Sequence, residues 1–380
     1  MDNSHEHGHW LCDKIIHLRL WGADVGHVLY RTSARCLYIG TSNDCALQLT
    51  GPDILPIHAE LMQEGEQWRI RALKSTSELR RDGESCSQFF LTPGVEIGIG
   101  RATLIAESQR SIALREFCAR ILGWGSDRVQ AVERALRAIR LAAAWRSTLI
   151  LQGEEDLVPL AYSLHRRVLG AAAPFVICDH RRADLPATVR SPANQAGSMA
   201  AFEAAAGGSL CLRGRHLPHD LPEFLRLLDE PDPRVQLIVC MSKDGHGGFL
   251  ARFPVNPMPI ELPPLEIREV ELSRIIQEYA NDAIVELSAS PACFSEDDCE
   301  WVMKHGVESL SEIEKATLRL VAVNMTGSVH RAARKLHMAG VSLSRWFGSP
   351  YCWLAVIVRV RATFSCAPRS KIVSANVRVR

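Results

Sequence analysis

Four short apolar runs constrain what this chain can fold into. They are residues 148–151 (TLIL), 174–178 (PFVIC), 209–212 (SLCL) and 235–240 (VQLIVC). Each is too short for a helix and carries no alternating polar face. Such segments are strands buried on both sides, as in a parallel sheet covered by helices. Between them, "LVPLAYSLHRRVLG" and "MAAFEAAAGG" read as helices. Strands alternating with helices predict an α/β domain over residues 148–265.

The flanking regions have other rhythms. Residues 10–108 hold brief apolar stretches such as "CLYIG", "QWRIRAL" and "EIGIG". They are separated by the turn chemistry of "RDGE" and "TPGVE", which predicts an all-β sandwich. Residues 109–147 read as a helical linker, with Val129, Val132, Leu136, Ile139 and Leu141 near one face. "EVELSRIIQEYANDAIVEL" places a small helical region over 266–304, and residues 305–348 form a further helical domain. A chain of 380 residues is long enough for this multidomain arrangement.

The order of punctuation in the first domain, "IGTSNDCALQL", "LPIHAEL", "STSELRRDG" and "LTPGVEIGIG", resembles the forkhead-associated (FHA) domain. That family is a β-sandwich that reads phosphothreonine peptides with the loops at one end. Gly40, His58, Ala59, Ser75, Thr76 and Gly83 match its spacing, and the resemblance gives His58 a loop-bracing role. The reading positions depart from it. Thr41 stands for the family's Arg, Leu55 for its Ser and Ser77 for its Asn. A phosphate needs a guanidinium or clustered hydroxyl and amide donors. Thr41, Ser42, Ser75, Thr76 and Ser77 are the weak phosphopeptide candidates. A plain protein-docking sandwich is the alternative.

The middle domain resembles the AAA+ ATPase domain of NtrC-like activators of the sigma-N RNA polymerase. "LILQGEE…LAYSLH", "PFVICD", "AFEAAAGGSLCL", "HLP", "VQLIVC" and "IELPPLEIREVEL" occur in the family's order. The catalytic parts do not. A P-loop wraps phosphates in glycine amides and adds a Lys and a magnesium partner. Here Gly153 and Glu154 are followed by "EDLVPL", which has neither Gly nor Lys. Glu155 and Asp156 would repel phosphate, and Pro159 removes a donor. Arg213 and Gly214 stand where the family has two acids. The segment between Asp179 and Ala201 lacks the Gly-rich aromatic loop that touches the sigma factor. The domain is therefore expected to be a degenerate P-loop fold, not an enzyme, with no cofactor. Residues 266–304 resemble a reduced version of the family's helical lid.

In "SLSEIEKATLRLVAVNMTGSVHRAARKLHMAGVSLSRWFG", Leu310, Ile313, Thr317, Leu320 and Val321 form one face of a first helix. Val329, Ala332, Ala333 and Leu336 form that of a second. Met338–Val341 is a turn, and Leu343 and Phe347 anchor a third. Paired small residues between two short helices suit a helix-turn-helix. The pattern resembles the Fis-type DNA-binding domain of the same activators, with His337 where that turn has Gly. The resemblance implies double-stranded DNA as partner, a homodimer or higher homo-oligomer, and a palindromic site. Arg345 suits a guanine edge, Ser342 and Ser344 bases or phosphates, and Arg331, Arg334 and Lys335 phosphates. Trp346 reads as core.

The net charge of +1 excludes nothing by itself. Residues 325–380, however, hold ten Lys or Arg and no acid, so the remainder carries 1 − 10 = −9. A basic end on an acidic body fits nucleic acid. Twelve cysteines without a CxxC pair read as reduced core filler. His5, His7 and His9 read as a polar terminus, not a metal site. No signal peptide or membrane span is expected, and the location is expected to be cytoplasmic. The tail, residues 349–380, either adds unspecific phosphate affinity or follows a shifted reading frame. The expected function is a sequence-specific DNA-binding regulator without ATPase chemistry and with a docking sandwich. The alternatives are a phosphopeptide- or protein-docking scaffold that does not bind DNA and, last, an ATP-driven activator.

Overall fold

A computed structural model describes residues 12–23, 26–29, 36–74, 78–189, 191–218, 220–228, 234–243 and 258–348. His5, His7, His9, Ser75, Thr76, Ser77 and the tail after residue 348 lie outside the described residues.

The first domain is the expected sandwich. Its strands are β1 (Ile15–Leu20), β2 (Gly26–Val28), β3 (Cys36–Gly40), β4 (Leu47–Gln48), β5 (Ala59–Glu64), β6 (Gln67–Ala72), β7 (Leu79–Arg81), β8 (Glu84–Cys86), β9 (Gln88–Phe90), β10 (Glu96–Ile99) and β11 (Ala102–Ser108). One sheet runs β2-β1-β11-β10-β7-β8 and the other β4-β3-β5-β6-β9. Alternating residues such as Leu18, Ile39, Leu61, Trp68, Ile70, Ile97 and Leu104 fill the space between them. The turn joining β7 to β8 holds Asp82 and Gly83, both at positive φ (51° and 94°), as a two-residue hairpin requires.

Strand β11 runs straight into α1 (Gln109–Leu122), where Ser108 and Ser111 form a reciprocal cap. The helical linker expected over 109–147 consists of two helices. Gly123, at φ 117°, ends α1, and α2 (Val129–Trp145) starts after a six-residue break. Val132 and Ile139 are buried as expected, whereas Leu136 and Leu141 are only half-buried. A buried ion cluster joins α2 to the sandwich. Arg19 on β1 donates to Glu107 (2.8 Å) and bidentately to Glu133 on α2 (2.6 and 3.1 Å). Arg140 of α2 donates to Asp82 in the hairpin turn (2.6 Å).

The α/β domain follows as β12 (Leu149–Gln152), α3 (Val158–Leu169), β13 (Phe175–Cys178), β14 (Ala193–Gln195), α4 (Ser198–Ala204), β15 (Ser209–Arg213), α5 (Leu221–Leu228), β16 (Gln236–Met241) and β17 (Ile260–Glu261). Its sheet has the order β14-β13-β15-β16-β12-β17, with every neighbouring pair parallel. Strands β12, β13 and β16 are buried at every position, which explains their unbroken apolar sequence. The chain leaves β12, passes over two strand positions to β13, and returns. That reversal puts a topological switch point at the carboxyl end of β12.

Residues up to Arg268 form one compact unit, and a second begins at Glu269. The second is helical: α6 (Leu272–Leu287), α7 (Glu296–His305), α8 (Leu310–Thr326), α9 (Val329–Lys335) and α10 (Gly340–Gly348). Helix α8 packs on α6, α7 and α9, so the described lid-like and C-terminal helices share one core, lined by Ile276, Ile313 and Val321. Helix α10 starts at Gly340, inside the expected turn. Among the described residues no helix is long and apolar enough to cross a membrane.

Candidate functional sites

At the loop end of the sandwich, backbone geometry is closely fixed. Gly40 closes β3 against the next loop, where an added Cβ would stand 2.2 Å from the Pro56 carbonyl oxygen. The Thr41 and Ser42 amides donate to the carbonyls of Leu55 (3.1 Å) and Pro56 (3.0 Å). His58 is buried and spends both ring nitrogens on loops. Nδ1 accepts from the Leu55 amide (3.2 Å), and Nε2 donates to the Glu78 carbonyl (3.0 Å). It ties three loops together.

Among the described residues, the groups offered outward are poor phosphate ligands. Thr41 and Ser42 are half-buried, with their amides already used. The Ser42 hydroxyl accepts the Asp44 amide (3.3 Å) and lies 3.4 Å from the Asp44 carboxylate. Leu55 is half-buried and Ile57 exposed. Arg80 is held along its own strand, donating to the Glu78 carboxylate (2.9 Å) and the Gly100 carbonyl.

At the carboxyl end of β12, the chain fills its own switch point. The Asp156 carboxylate accepts from the Val158 amide (3.3 Å) in the first turn of α3. An anion is favoured there by the helix dipole and the unpaired amides. Arg213, at the end of β15, donates to the same carboxylate through both terminal nitrogens (2.7 and 3.2 Å). The two departures noted in the sequence are thus one feature. Asp156 occupies the anion position at the start of α3, and Arg213 neutralises it. The Arg213 Nε lies 3.9 Å from buried Asp179, which also holds Arg182 (3.4 Å).

Below this edge, His165 of α3 is a buried brace that the sequence reading passed over. Its Nδ1 meets the Ser209 hydroxyl (2.8 Å), and its Nε2 donates to the Ala173 carbonyl (3.0 Å). Burial pushes the imidazole down to a pKa of about 4.

In the C-terminal unit, Ser309 caps α8 by accepting the Glu312 amide (3.1 Å), and Gly327 at φ 64° ends it. Ala332, Ala333 and Leu336 bury one side of α9. His337 takes the left-handed position after it, at φ 51°. The Met338 amide there reaches the Ala333 carbonyl (3.0 Å). Leu343 is fully buried on α10, and Ser342, Ser344 and Arg345 are exposed. Arg331, Arg334 and Lys335 are exposed on α9. None of these four cations has an ion-pair partner among the described residues. The Trp346 ring packs edge-on against Trp301 of α7 (5.5 Å), with the Arg319 guanidinium 4.9 Å from its centre. His330 and Gly340 line a hollow with Val341, Ser344 and Arg345. His330 carried no warning in the sequence, because its position depends on how α10 returns past the start of α9.

Among the described residues no cluster of three or more His, Cys, Asp or Glu could hold a metal ion. The FHA domain family matches residues 37–100, from β3 to just past β10, so this part of the sandwich is an FHA domain. No curated protein matches the chain. Similar solved structures include EmbR of Mycobacterium tuberculosis in complex with a low-affinity phosphopeptide, at 21% identity over 25% of this chain and 24% of that one, TM-score 0.23. The FHA domain of the CT664 protein of Chlamydia trachomatis is 18% identical over 24% of this chain and 94% of that one, TM-score 0.22. The yeast Dun1 FHA domain in complex with a doubly phosphorylated peptide is 19% identical over 25% of this chain and 74% of that one, TM-score 0.21.

Proposed function

We propose that this chain is a DNA-binding transcription regulator that docks a partner protein through its FHA domain and carries out no phosphoryl transfer. The observation that carries the reading is the α9–α10 pair. Buried Leu343 fixes the roll of α10, so Ser342, Ser344 and Arg345 point outward together. Arg331, Arg334 and Lys335 supply charge from α9, with no acid between residues 325 and 348. A short helix with a free guanidinium suits the major groove, and the neighbouring helix suits the phosphates.

The α/β domain serves as a scaffold. Nucleotide hydrolysis needs a phosphate cradle and a metal-holding acid, and the pairing of Asp156 with Arg213 at the start of α3 supports a domain without them. Docking at the FHA domain is favoured by its preserved loop braces. Phosphopeptides sit in the EmbR and Dun1 structures. Here Thr41 and Leu55 stand where the family has its Arg and Ser, which favours a partner recognised without phosphate. The second reading, a docking scaffold that never touches DNA, is favoured by the same FHA match.

The test is selection of duplex DNA from a random pool with the full chain, followed by titration of Arg345→Ala on the winner. We expect an enriched site and a loss of about 1–3 kcal/mol of discrimination at one base pair. No enrichment, with binding indifferent to Arg345→Ala, would establish the scaffold reading instead.

A further inference from the structure

The carboxyl edge of the parallel sheet is unevenly charged. Its acids, Glu154, Glu155 and Asp156, follow β12. The ends of β13, β15 and β16 bring Arg181, Arg215, His216 and Lys243 to the neighbouring positions. The acids on this side each have a partner: Asp179 pairs with Arg182 (3.4 Å), Asp184 accepts the Ala196 amide (2.7 Å), and Asp220 accepts the Ser198 hydroxyl.

The arginines are anchored without acids. The Arg181 guanidinium donates to the His216 ring nitrogen (2.7 Å), which joins the ends of β13 and β15. The Arg215 Nε donates to the Ser242 hydroxyl (3.2 Å), which joins β15 to β16. Both guanidinium groups are exposed, and neither has a carboxylate partner among the described residues. Each is held by one neutral contact and keeps its other N–H donors for solvent or a ligand.

We propose that this edge is a second phosphate-binding surface, built by Arg181, Arg215, His216 and Lys243, and that it takes the backbone of nucleic acid. Adjacent strands lie about 4.8 Å apart, so three strand ends span about 10 Å. That is about three phosphates of one strand, at one per about 3.4 Å of helix axis. The side chains are guanidiniums, whose forked donors match phosphate oxygens. Open α/β sheets place ligands outside the carboxyl ends of their strands, and here the anion position at β12 is already filled by Asp156. The surface does not depend on the reading of α9 and α10. A free polyphosphate presents the same chemistry as the backbone.

The experiment uses the full chain, the double variant Arg181→Gln/Arg215→Gln, the charge-keeping Arg181→Lys/Arg215→Lys, and Arg134→Gln as an exposed control on α2. Affinity for duplex DNA of mixed sequence is measured against salt concentration, and sodium tripolyphosphate binding by calorimetry. The slope of log affinity against log salt is expected to be shallower by about 1.8 in the Gln variant. It should be retained in the Lys variant and the control. Thermal midpoints check that all variants fold. An unchanged DNA slope, with tripolyphosphate binding lost in the Gln variant, keeps the phosphate site and assigns it to a free polyphosphate. An unchanged slope with no tripolyphosphate binding overturns the proposal. Arg345→Ala, measured in parallel, reports separately on the C-terminal helices.

Discussion

The loop end of the sandwich and the carboxyl edge of the parallel sheet treat charge in opposite ways. At the loop end, the expected reader positions hold uncharged groups. Thr41 and Leu55 stand in the loops, and Gly40 and His58 still brace them. At the sheet edge, charge is retained and closed on itself, as Arg213 and Asp156 satisfy each other (2.7 Å). Neutral replacement leaves a surface available to a different partner. Internal replacement occupies the position and leaves the cations beyond it available. In both regions the buried histidine brace spends two ring nitrogens on backbone or hydroxyl groups. The two histidines are buried and the Arg213–Asp156 pair is partly exposed, so their loss should differ in cost.

The largest expected effect concerns the brace under the sheet. The unfolded chain binds a proton at His165 with a pKa near 6.5, whereas the folded chain does so only near pH 4. The unfolded state therefore holds more protons between those values. Its contribution to stability is complete above about pH 6.5 and falls as pH drops toward 4, by about 3 kcal/mol. Urea unfolding of the wild type and His165→Gln at pH 7 and pH 4 checks this. The stability difference between them should shrink by about that amount on acidification, and a difference independent of pH would show that His165 is not held neutral.

A smaller loss, about 2 kcal/mol, is expected for His58→Ala, which orphans the Leu55 amide and the Glu78 carbonyl. The readout is the urea midpoint. A change within the noise would place the sandwich loops on other supports and remove the parallel between the two histidines. The smallest effect belongs to the Arg213–Asp156 pair. The side chains of Arg213 and Asp156 are 21% and 53% exposed, and Arg213→Ala should cost less than about 1 kcal/mol. A loss above about 2 kcal/mol would make this pair a brace in its own right and end the distinction.

Legibility followed the range of the interaction. The strands of the α/β domain were plain because burial on both faces leaves an unbroken apolar run, as in Phe175–Cys178. The turn at Asp82–Gly83 was plain because positive φ restricts residue choice. The outward set on α10 followed from the spacing of Leu343. The helix break at Gly123 was missed, because apolar periodicity continues on both sides of it and tertiary packing selects the stop. His165 was missed because its partners, Ala173 and Ser209, lie on other elements. His330 was missed for the same reason.

The sequence by itself determined the kinds of layer this chain builds, the turns between them, and the absence of the side chains that a phosphate reader at Thr41 or a P-loop after Gly153 would need. These are local properties, set by backbone preference and by the chemistry of single residues. Only the tertiary structure decided what the substitutes do. It placed Asp156 on the first turn of α3 beneath Arg213, 57 residues away, and set Arg181 against His216. It also fixed His58 among three loops. Strand order determines which chain ends meet, and strand order is settled by the packing of the whole sheet.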